Sequence, residues 1–441
     1  MPVYLPENIL YCIEKLENAG FAAYAVGGCV RDACLGRTPH DYDLCTAALP
    51  EQTEAVFAGH RLVLAGKKHG TVGVVCKGEV VEITTFRTEG DYADNRHPDW
   101  VAFVTDIEAD LSRRDFTVNA MAYSPTRGYA DPFGGREDLK NGILRAVGDP
   151  RARFSEDSLR ILRGIRFASR YHLRVEAETE RAMRELSGLM DNLARERVFE
   201  ELNKMLPHLT ADQITRFAPI LAAVIPELAP LIGFDQCSPH HAYDLMTHVA
   251  HVVAQVPPEE TVRWAALLHD VGKIPTFTRD ETGRGHFYGH APESARMADT
   301  ILHRLKAPTA LRERTVLLIE KHMTRPLADK KFLRRQISRL GWEAYEQLLA
   351  LQCADMASKG IKEPGEDYSR IYSLLEQIRK ENACLSLKDL ELNGRDLMAL
   401  GLQGRQVGQT LNALLEAVLD ERVENEREAL LAWIRQEKAS E

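Results

Sequence analysis

The spacing of apolar and polar residues divides the chain into a strand-rich beginning and a long helical remainder. Residues 7–19 (ENILYCIEKLENA) carry apolar side chains near helical spacing, and Gly20 follows as a typical helix stop. Short β-rich segments come next, the last two joined by a turn at 77–79: FAAYAVGG, RLVLA, TVGVVCKG and EVVEITTFR. We therefore predict an α/β or α+β region over residues 1–147.

From about residue 150 onward, helical periodicity dominates to the end of the chain. The stretch VGDP at 147–150 marks the first boundary. A second change falls at 210–235, where IPELAPLIGF places prolines and a glycine between helical segments. After about residue 365 the pattern is that of a separate helical tail. The predicted regions are 1–147, 148–210, 211–364 and 365–441.

Composition narrows the class of protein and its partners. The 441 residues are 44% hydrophobic and 27% charged, and no apolar run is long enough to span a bilayer. The start of the chain lacks the pattern of a signal peptide, and the eight cysteines form no C-x-x-C pair, so we expect a cytoplasmic protein with reduced thiols. A net charge of −9 argues against a uniformly basic nucleic-acid coat but permits a local positive groove.

The stretch AVGGCVRDACLGRTPHDYDLCT, residues 25–46, combines features that suit a nucleoside triphosphate and metal ions. On a strand, Asp41 and Asp43 would point to one face, where Mg²⁺ ions let both carboxylates stay ionised. Gly27 and Gly28 permit close backbone approach to phosphates, and Arg31 offers a planar charged fork. The alternative is a turn with solvated aspartates.

Further motifs follow in a fixed order, covering nearly all of residues 20–175: GKKHGTVGVV, VEITTFRTEGDYADNRHPDWVAF, DLSRRDFTVNAMA, DPFGGREDLKNGILRAVGDP and RFSEDSLRILRGIRFASR. Together with the Asp-x-Asp stretch, they resemble the class II tRNA nucleotidyltransferase and bacterial poly(A) polymerase superfamily. The resemblance implies an α+β polymerase-β-like head at 1–147, followed by mainly helical neck, HD and tail regions.

The same resemblance assigns roles to residues of the head. Asp41 and Asp43 become the catalytic, metal-binding pair, with Gly28 and Arg31 at the nucleotide. Glu82 is a candidate third carboxylate, or else a structural partner of a basic residue such as Arg87.

In DLSRRDFTVNA, an acid follows two arginines directly. A carboxylate beside phosphate-binding arginines is suited to accept a ribose hydroxyl proton. The resemblance places Arg114 at the nucleotide and Asp115 at its sugar, whereas the alternative is an ordinary exposed ion pair.

The segment SEDSLRILRGIRFASR predicts a helix capped by Ser155, with Glu156 and Asp157 in its first turn. Asp157 and Arg160 would be neighbours on one face, where together they can imitate a base-pairing edge. The resemblance makes them a protein template for CTP and ATP, with Arg163 and Arg166 toward the phosphates. The alternative is an amphipathic helix with a solvated basic stripe. Residues 145–174 hold eight arginines against three acids, which is the local positive groove.

Two features bear on which product the head makes. The polar stretch at 87–106 is typical of a mobile loop, and its length favours addition of a full CCA over CC alone, as the resemblance implies. Poly(A) polymerase remains the alternative, although GKKHGTVGVV lacks the arginine-rich pattern associated with it and the chain lacks a strongly basic tail.

A second set of motifs resembles the HD-superfamily phosphohydrolases: HHAYDLMTHVAHV, RWAALLHDVGK, FYGHAPESA, LIEKHMTRP and CADMA. The resemblance implies a divalent transition metal held by His248, His269, Asp270 and Asp355, with His290 and His322 available for a second ion. The sequence leaves three roles open for His240, His241 and His251: helix cap, core residue or substrate contact. Lys273 is either a phosphate contact or a turn cap. The resemblance implies that the region acts as a phosphatase or a cyclic phosphodiesterase. The alternative is a metal-bound scaffold without activity.

The last helical region resembles the RNA-binding tail of the same superfamily. GLQGRQVG places glycines and Arg405 before an amphipathic helix, where backbone donors can meet an RNA phosphate, or where they simply form a helix-to-helix turn. The expected partners are therefore tRNA, CTP and ATP, with no membrane. A hydrolase with an RNA-binding head is the competing function, and the oligomeric state is not predicted.

Overall fold

A computed structural model describes residues 3–89, 101–238, 242–360 and 368–440. The chain divides into two compact units. The first comprises residues 1–232 with 304–307, and the second comprises residues 233–303 with 308–441. The division into four regions therefore stays a prediction, and its boundaries at 147 and 210 lie inside the first unit.

The first unit begins with a sheet and ends in helices. Its elements up to the end of the sheet region are α1 Glu7–Asn18, β1 Ala23–Val26, α2 Gly28–Cys34, β2 Asp43–Thr46, α3 Pro50–Val56, β3 Leu62–Val63, β4 Thr71–Cys76, β5 Glu79–Thr85, β6 Arg87–Glu89, β7 Val101–Phe103, α4 Ile107–Ser112, β8 Ala122–Ser124, β9 Gly128–Ala130, α5 Gly135–Lys140 and β10 Ile143–Leu144. The helical part consists of α6 Pro150–Glu156, α7 Leu159–Tyr171, β11 Arg174–Val175, α8 Ala177–Glu185, α9 Arg195–Met205 and α10 Ala211–Val224.

The second unit is almost entirely helical in its described residues. Its elements are α11 Leu245–Gln255, α12 Glu260–Leu268, α13 Lys273–Thr276, β12 Thr278–Arg279, β13 Gly285–His286, α14 His290–Arg304, α15 Thr309–Lys321, α16 Lys330–Leu340, α17 Trp342–Ala357, α18 Tyr368–Lys380, α19 Gly394–Ala399, α20 Arg405–Leu419 and α21 Arg427–Ser440. None of the described helices combines the length and apolar character needed to cross a membrane. The α+β beginning and helical remainder predicted from the sequence are confirmed.

Seven of the described strands form one mixed sheet in the order β3-β4-β5-β2-β1-β8-β9. Strands β2 and β5 run parallel, with Leu44 opposite Ile83, while β4 and β5 form an antiparallel hairpin. The hairpin turn is Lys77-Gly78, and both residues have positive φ, 52° and 89°, as a tight two-residue turn requires. The register of β2 against β5 brings the start of β2 beside the middle of β5.

Two local predictions are wrong. Only Asp43 belongs to strand β2, and Asp41 precedes it in irregular backbone. Residues 155 and 156 do not begin a helix but complete α6, which starts earlier because Asp149 caps it and Pro150 occupies its first position.

Asp157 lies in the break between α6 and α7. Its backbone is extended (φ −139°, ψ 101°), and its carboxylate accepts a hydrogen bond from the Leu159 amide at 3.0 Å. It therefore supports the start of α7 from outside the helix instead of lying in its first turn.

Helix α5 packs directly on the segment at 117–121, since Gly135 has no side chain. A Cβ there would lie 2.2 Å from the Thr117 carbonyl oxygen and 2.8 Å from Met121 Cγ. A side chain would force the backbone of this segment to move. The close approach fixes the position of Asn119, which lies in the same segment.

We expect Gly135→Ala to lower the free energy of unfolding by about 2 to 3 kcal/mol, the usual cost of overpacking. Gly188→Ala is the matched control, because a Cβ there meets nothing within 4 Å. Urea unfolding followed by circular dichroism measures both variants. Equal unfolding midpoints for the two would contradict the packing argument.

Candidate functional site

Three carboxylates line one cleft of about 790 Å³ in the first unit: Asp41, Asp43 and Glu82. The parallel register of β2 and β5 continues back from the pair Leu44–Ile83, which places Asp43 beside Glu82. All three residues retain solvent access. Glu82 thus faces the cleft with the predicted pair, while Arg87 donates from its guanidinium to the His69 carbonyl.

The electrostatics of this cleft favour a cation. The pKa of Asp43 is raised, first because the carboxylate is partly desolvated and second because Glu82 and Asp41 add negative charge; Arg114 opposes the shift. Clustered carboxylates of this kind are relieved by a bound cation, which keeps them ionised. The arrangement suits hard divalent ions, whose preferred ligands are oxygens.

The glycine turn before α2 brings a guanidinium close to this cleft. Gly27 has a φ of 74°, and a Cβ at this position would lie 3.0 Å from Arg114 Nη1. Only glycine therefore fits at residue 27. Gly28, the predicted nucleotide contact, begins α2 directly after it.

Arg114 and Arg113 are both held by the buried carboxylate of Asp110. The distances from their Nη2 atoms to Asp110 are 3.2 Å and 2.9 Å. Burial disfavours the charged acid, but the two guanidinium groups lower the pKa of Asp110 below its usual value. Asp110 thereby orients Arg114 toward the glycine turn, a role that sequence reasoning missed.

Asp115 is buried, so the alternative of an ordinary exposed ion pair is wrong for it. One carboxylate oxygen accepts from Asn119 Nδ2 at 3.0 Å, and the other accepts from Arg163 Nε and Nη2 at 2.9 and 2.6 Å. Burial favours the neutral acid, but the charge of Arg163 and these hydrogen bonds lower the pKa of Asp115 to about 2. Asp115 is ionised at neutral pH.

Arg31 is also buried and is joined to the same network. Its guanidinium donates to Asn119 Oδ1 and, at 2.5 Å, to the Tyr171 hydroxyl, and it lies 4.3 Å from the centre of the Tyr171 ring. An unbroken chain of contacts therefore runs from Arg163 through Asp115, Asn119 and Arg31 to Tyr171. The predicted phosphate contact of Arg31 stays a prediction.

The proposed template residues do not pair with each other in their described contacts. Asp157 accepts from Arg197 Nη2 at 3.0 Å, whereas Arg160 donates to Glu156 at 2.6 Å and to the Arg113 carbonyl at 3.2 Å. Both side chains are largely buried, at 15% and 10% exposure.

Arg166 pairs with Glu201 at 2.6 Å, with 11% of its side chain exposed. A solvated basic stripe is therefore a wrong description of Arg160 and Arg166. Arg163, 34% exposed, retains more solvent access than either.

A second cluster of chemically active side chains lies in the second unit. Its six members come from α11, the residues after α12, the start of α14, the residue after α15, and α17: His248, His269, Asp270, His290, His322 and Asp355. The Nε2 atoms of His248, His269 and His290 lie 3.4, 3.2 and 3.5 Å from Asp270, and that of His248 lies 3.0 Å from Asp355. Two groups of three have ligand atoms close enough to hold a metal ion, and Asp270 belongs to both.

The four imidazole rings are oriented by backbone carbonyls. The Nδ1 atoms of His269, His290 and His322 lie 2.8, 2.8 and 2.6 Å from the carbonyls of Ala266, Phe287 and Ile319, and His248 Nδ1 lies 3.2 Å from that of Ser358. A carbonyl can only accept, so each Nδ1 carries the proton. In the neutral rings the Nε2 lone pairs then face one another and the carboxylates.

This arrangement fits a divalent transition metal. The Nε2 atoms of His269 and His322 are buried and have no hydrogen-bond partner among the residues that the structure describes. Burial and the nearby His269 lower the pKa of His322 to about 4, while Asp270 and Asp355, against the effect of burial, raise that of His248 to about 9. Carboxylates together with imidazole rings that backbone carbonyls orient are a usual set of metal ligands.

The structure describes some of the neighbouring residues whose roles the sequence left open. Lys273 lies 2.8 Å from Asp270 and donates to Gln236 at 2.9 Å, so its charge offsets that of Asp270 and these contacts are not those of a turn cap. A phosphate contact of Lys273 stays a prediction. His251 lies with its ring centre 4.8 Å from that of Tyr243. His240 and His241 lie outside the described residues, as does the part of the predicted loop at 90–100.

Family models match three parts of the chain. Residues 23–145 match the poly A polymerase head domain, residues 172–231 the "Probable RNA and SrmB- binding site of polymerase A", and residues 291–434 the tRNA nucleotidyltransferase domain 2. The CCA-adding enzyme of Geobacillus stearothermophilus is 34% identical over 447 residues, covering 97% of this chain and 96% of that protein. The chain belongs to the family of CCA-adding enzymes.

Other members of the CCA-adding family agree. The CCA-adding enzyme of Streptococcus pneumoniae serotype 19F (strain G54) is 33% identical, covering 98% of both chains. The crystal structure of the Bacillus stearothermophilus CCA-adding enzyme in complex with CTP has a TM-score of 0.74 at 28% identity, with 98% of both chains covered. The Thermotoga maritima CCA-adding enzyme complexed with tRNA has the same fold, with a TM-score of 0.62 at 22% identity and coverage of 97% and 94%.

Membership of the CCA-adding family confirms the resemblance to class II nucleotidyltransferases. The site assignments themselves stay predictions. The geometry adds residues that the sequence analysis did not single out: Asp110, Asn119, Tyr171 and Arg197. Asp110 and Asn119 both belong to the motif DLSRRDFTVNA, near its two ends, so the motif itself could have indicated them. No local pattern indicates that Tyr171 contacts Arg31.

We expect Asp115→Asn to lower the free energy of unfolding at pH 7 by about 2 kcal/mol, because Arg163 loses its charged partner. The folded-state pKa of Asp115, about 2, is below its ordinary value, so its stabilising effect is complete above about pH 4 and is lost as the pH falls toward 2. Urea unfolding from pH 8 to pH 3 measures this difference. Asp191→Asn, at an exposed carboxylate, is the control. A difference that stays constant down to pH 3 would refute the assignment.

Proposed function

We propose that this protein adds C, C and A to the 3′ ends of tRNA, using CTP and ATP and releasing pyrophosphate. The observation that carries the proposal is the end-to-end similarity to a CCA-adding enzyme, 34% identical over 97% of this chain. The carboxylate cleft of the first unit supports it, because nucleotidyl transfer needs such a site. The free state of all eight cysteines agrees with a cytoplasmic location, which we also propose.

In this proposal Asp41 and Asp43 hold Mg²⁺, with Glu82 as the third carboxylate. The bound ions supply charge neutralisation for the attacking and leaving oxygens of an in-line displacement. The tRNA 3′-hydroxyl attacks the α-phosphorus, the bond to the pyrophosphate oxygen breaks, and no covalent intermediate with the protein is needed. Arg114, held by Asp110 beside the glycine turn, orients the nucleotide phosphates, and Arg31 and Gly28 complete this side of the site.

Nucleotide choice is proposed to rest on α7 and the residues around it. Asp157 accepts from an exocyclic amine and Arg160 donates to the base edge, as CTP and ATP require and UTP does not. Asp115 would accept from the sugar hydroxyl while Arg163 holds it ionised, and Arg166 keeps α7 in place through Glu201. A carboxylate oxygen accepts more than one hydrogen bond, so Asp157 can serve a base while bonded to Arg197.

The test is extension of tRNA lacking its 3′ CCA, with Mg²⁺ and either CTP, ATP or both, followed by sequencing of the products. We expect two C residues with CTP alone and a terminal A only when both nucleotides are present. Asp41→Asn and Asp43→Asn should each reduce the rate at least a hundredfold, because the carboxylate charge is lost at the metal site. Long A tracts with ATP alone would instead make the protein a poly(A) polymerase.

Asp212→Asn is the matched control, since this carboxylate lies in the first turn of α10. It should extend tRNA at the wild-type rate. Wild-type rates in the Asp41 and Asp43 variants would overturn the assignment of the cleft.

A second activity is favoured by the histidine cluster. We propose that the second unit binds a divalent transition metal through His248, His269, Asp270 and Asp355, with His290 and His322 serving a second ion, and that it hydrolyses a phosphoester. A bound ion of this kind lowers the pKa of its water and so supplies a nucleophile at neutral pH. The buried Nε2 atoms of His269 and His322 are the supporting observation.

Metal content measured by plasma mass spectrometry after dialysis against Mn²⁺, Co²⁺ or Ni²⁺ tests this second proposal. We expect at least one ion per chain, and loss of at least half of it in His269→Ala and His322→Ala. His303→Ala removes an exposed histidine of the same unit and should leave the content unchanged. Equal metal content in all variants would place the ions elsewhere.

A further inference from the structure

Two aromatic rings stack on each other on the segment that leads into the histidine cluster. The rings of His286 and Tyr288 are nearly parallel, at 6°, with their centres 5.3 Å apart. Tyr288 is 79% exposed. We refer to these two residues as the His286–Tyr288 platform.

The platform is rigid on the side that faces the protein. Phe287, the residue between the two, packs against Phe277 with ring centres 5.4 Å apart. His286 is held by Asp280, whose Oδ2 lies 2.7 Å from His286 Nε2. The exposed ring of Tyr288 is therefore backed by His286 and displayed by a segment whose middle residue is anchored.

The same segment is connected to the cluster by two contacts. The Phe287 carbonyl accepts from His290 Nδ1 at 2.8 Å and so orients that ring. Lys273 Nζ lies 5.2 Å from the centre of the Phe287 ring and 2.8 Å from Asp270. The platform and the cluster thus share one framework.

His290, the member of the cluster nearest the platform along the chain, retains some solvent access. Among the side chains of the cluster, His290 and Asp355 are 10% and 15% exposed, whereas His248, His269 and Asp270 are at most 2% exposed. Tyr288 is two residues from His290, a backbone distance of at most about 7 Å. A phosphate entering at His290 would leave the rest of its molecule over this surface.

We propose that the His286–Tyr288 platform stacks the base of a nucleotide whose phosphate is hydrolysed at the histidine cluster. The inference rests on the proposed phosphohydrolase activity and restricts its substrates to nucleotides and RNA ends, as opposed to sugar phosphates. Bases stack on exposed aromatic rings with little dependence on base identity, so the platform selects for a base without selecting among bases.

The experiment compares substrates with and without a base, using the full chain loaded with Mn²⁺. Adenosine 2′,3′-cyclic phosphate and adenosine 3′-monophosphate are the base-containing probes, and methyl riboside 2′,3′-cyclic phosphate and methyl riboside 3′-phosphate are the matched base-free probes. The variants are Tyr288→Ala, Tyr288→Phe and, as a control at another tyrosine that is 79% exposed, Tyr4→Ala.

Tyr288→Ala should raise KM for the adenosine probes about tenfold, the usual effect of losing one stacked ring, with kcat changed less than about twofold. KM for the base-free probes should not move. Tyr288→Phe keeps the ring and should keep the wild-type KM, as should Tyr4→Ala. An equal change on both kinds of probe, or no change on the adenosine probes, would overturn the platform.

Failure of the proposed hydrolysis is distinguishable from failure of the platform. If the wild type hydrolyses none of the probes, the platform is tested by calorimetry, which measures the binding of adenosine 3′-monophosphate to the Mn²⁺-loaded protein. Binding that is weakened about tenfold by Tyr288→Ala and unaffected by Tyr4→Ala supports the platform alone. Absence of binding to the wild type overturns it.

Discussion

The first unit depends on one buried carboxylate. Asp115 joins Arg163 of α7 to Asn119 beside the sheet, and Asn119 carries the connection on to Arg31 and Tyr171. A buried charge is tolerated only when it is paired and hydrogen-bonded, and Asp115 meets both conditions. Through this network, Arg163 and Tyr171 connect α7, the helix proposed to select the nucleotide, to residues beside the sheet.

The second unit solves a related problem by different means. Its clustered histidines are oriented by backbone carbonyls, which fix the tautomer without adding charge. Lys273 supplies one positive charge to Asp270. Both units therefore position their chemical groups through buried partners that contribute orientation.

Much of this organisation could be predicted because the signals were local. Helix α1 with its glycine stop and the strands β4 and β5 with their turn were all predicted from adjacent residues, and the ordered motifs indicated the family. The start of α7 at Leu159 was not predicted, because the signal at Asp149-Pro150 starts α6 and draws residues 155 and 156 into that helix. The position of Asp41 outside β2 escaped prediction for a similar reason: period-two spacing does not say where a strand begins.

Contacts between distant segments were beyond sequence reasoning. Nothing near Arg31 indicates that Tyr171, 140 residues away, takes its guanidinium. The sequence left two roles for Glu82, third carboxylate or structural partner of a basic residue. Its place beside Asp43 follows from the register of β2 against β5, which the sequence does not reveal. The histidine cluster was predicted by resemblance as a set of ligands, but the carbonyls that orient its rings follow from the helix ends.

Asp157 has two duties in the fold before any nucleotide arrives. One oxygen supports the first amide of α7, and the other holds Arg197 of α9. If Asp157 reads the base as proposed, a substitution at this position affects folding as well as base choice. A side chain that changed the nucleotide preference here would also have to support the first amide of α7 and hold Arg197, which ties the proposed choice of nucleotide to the stability of the helix.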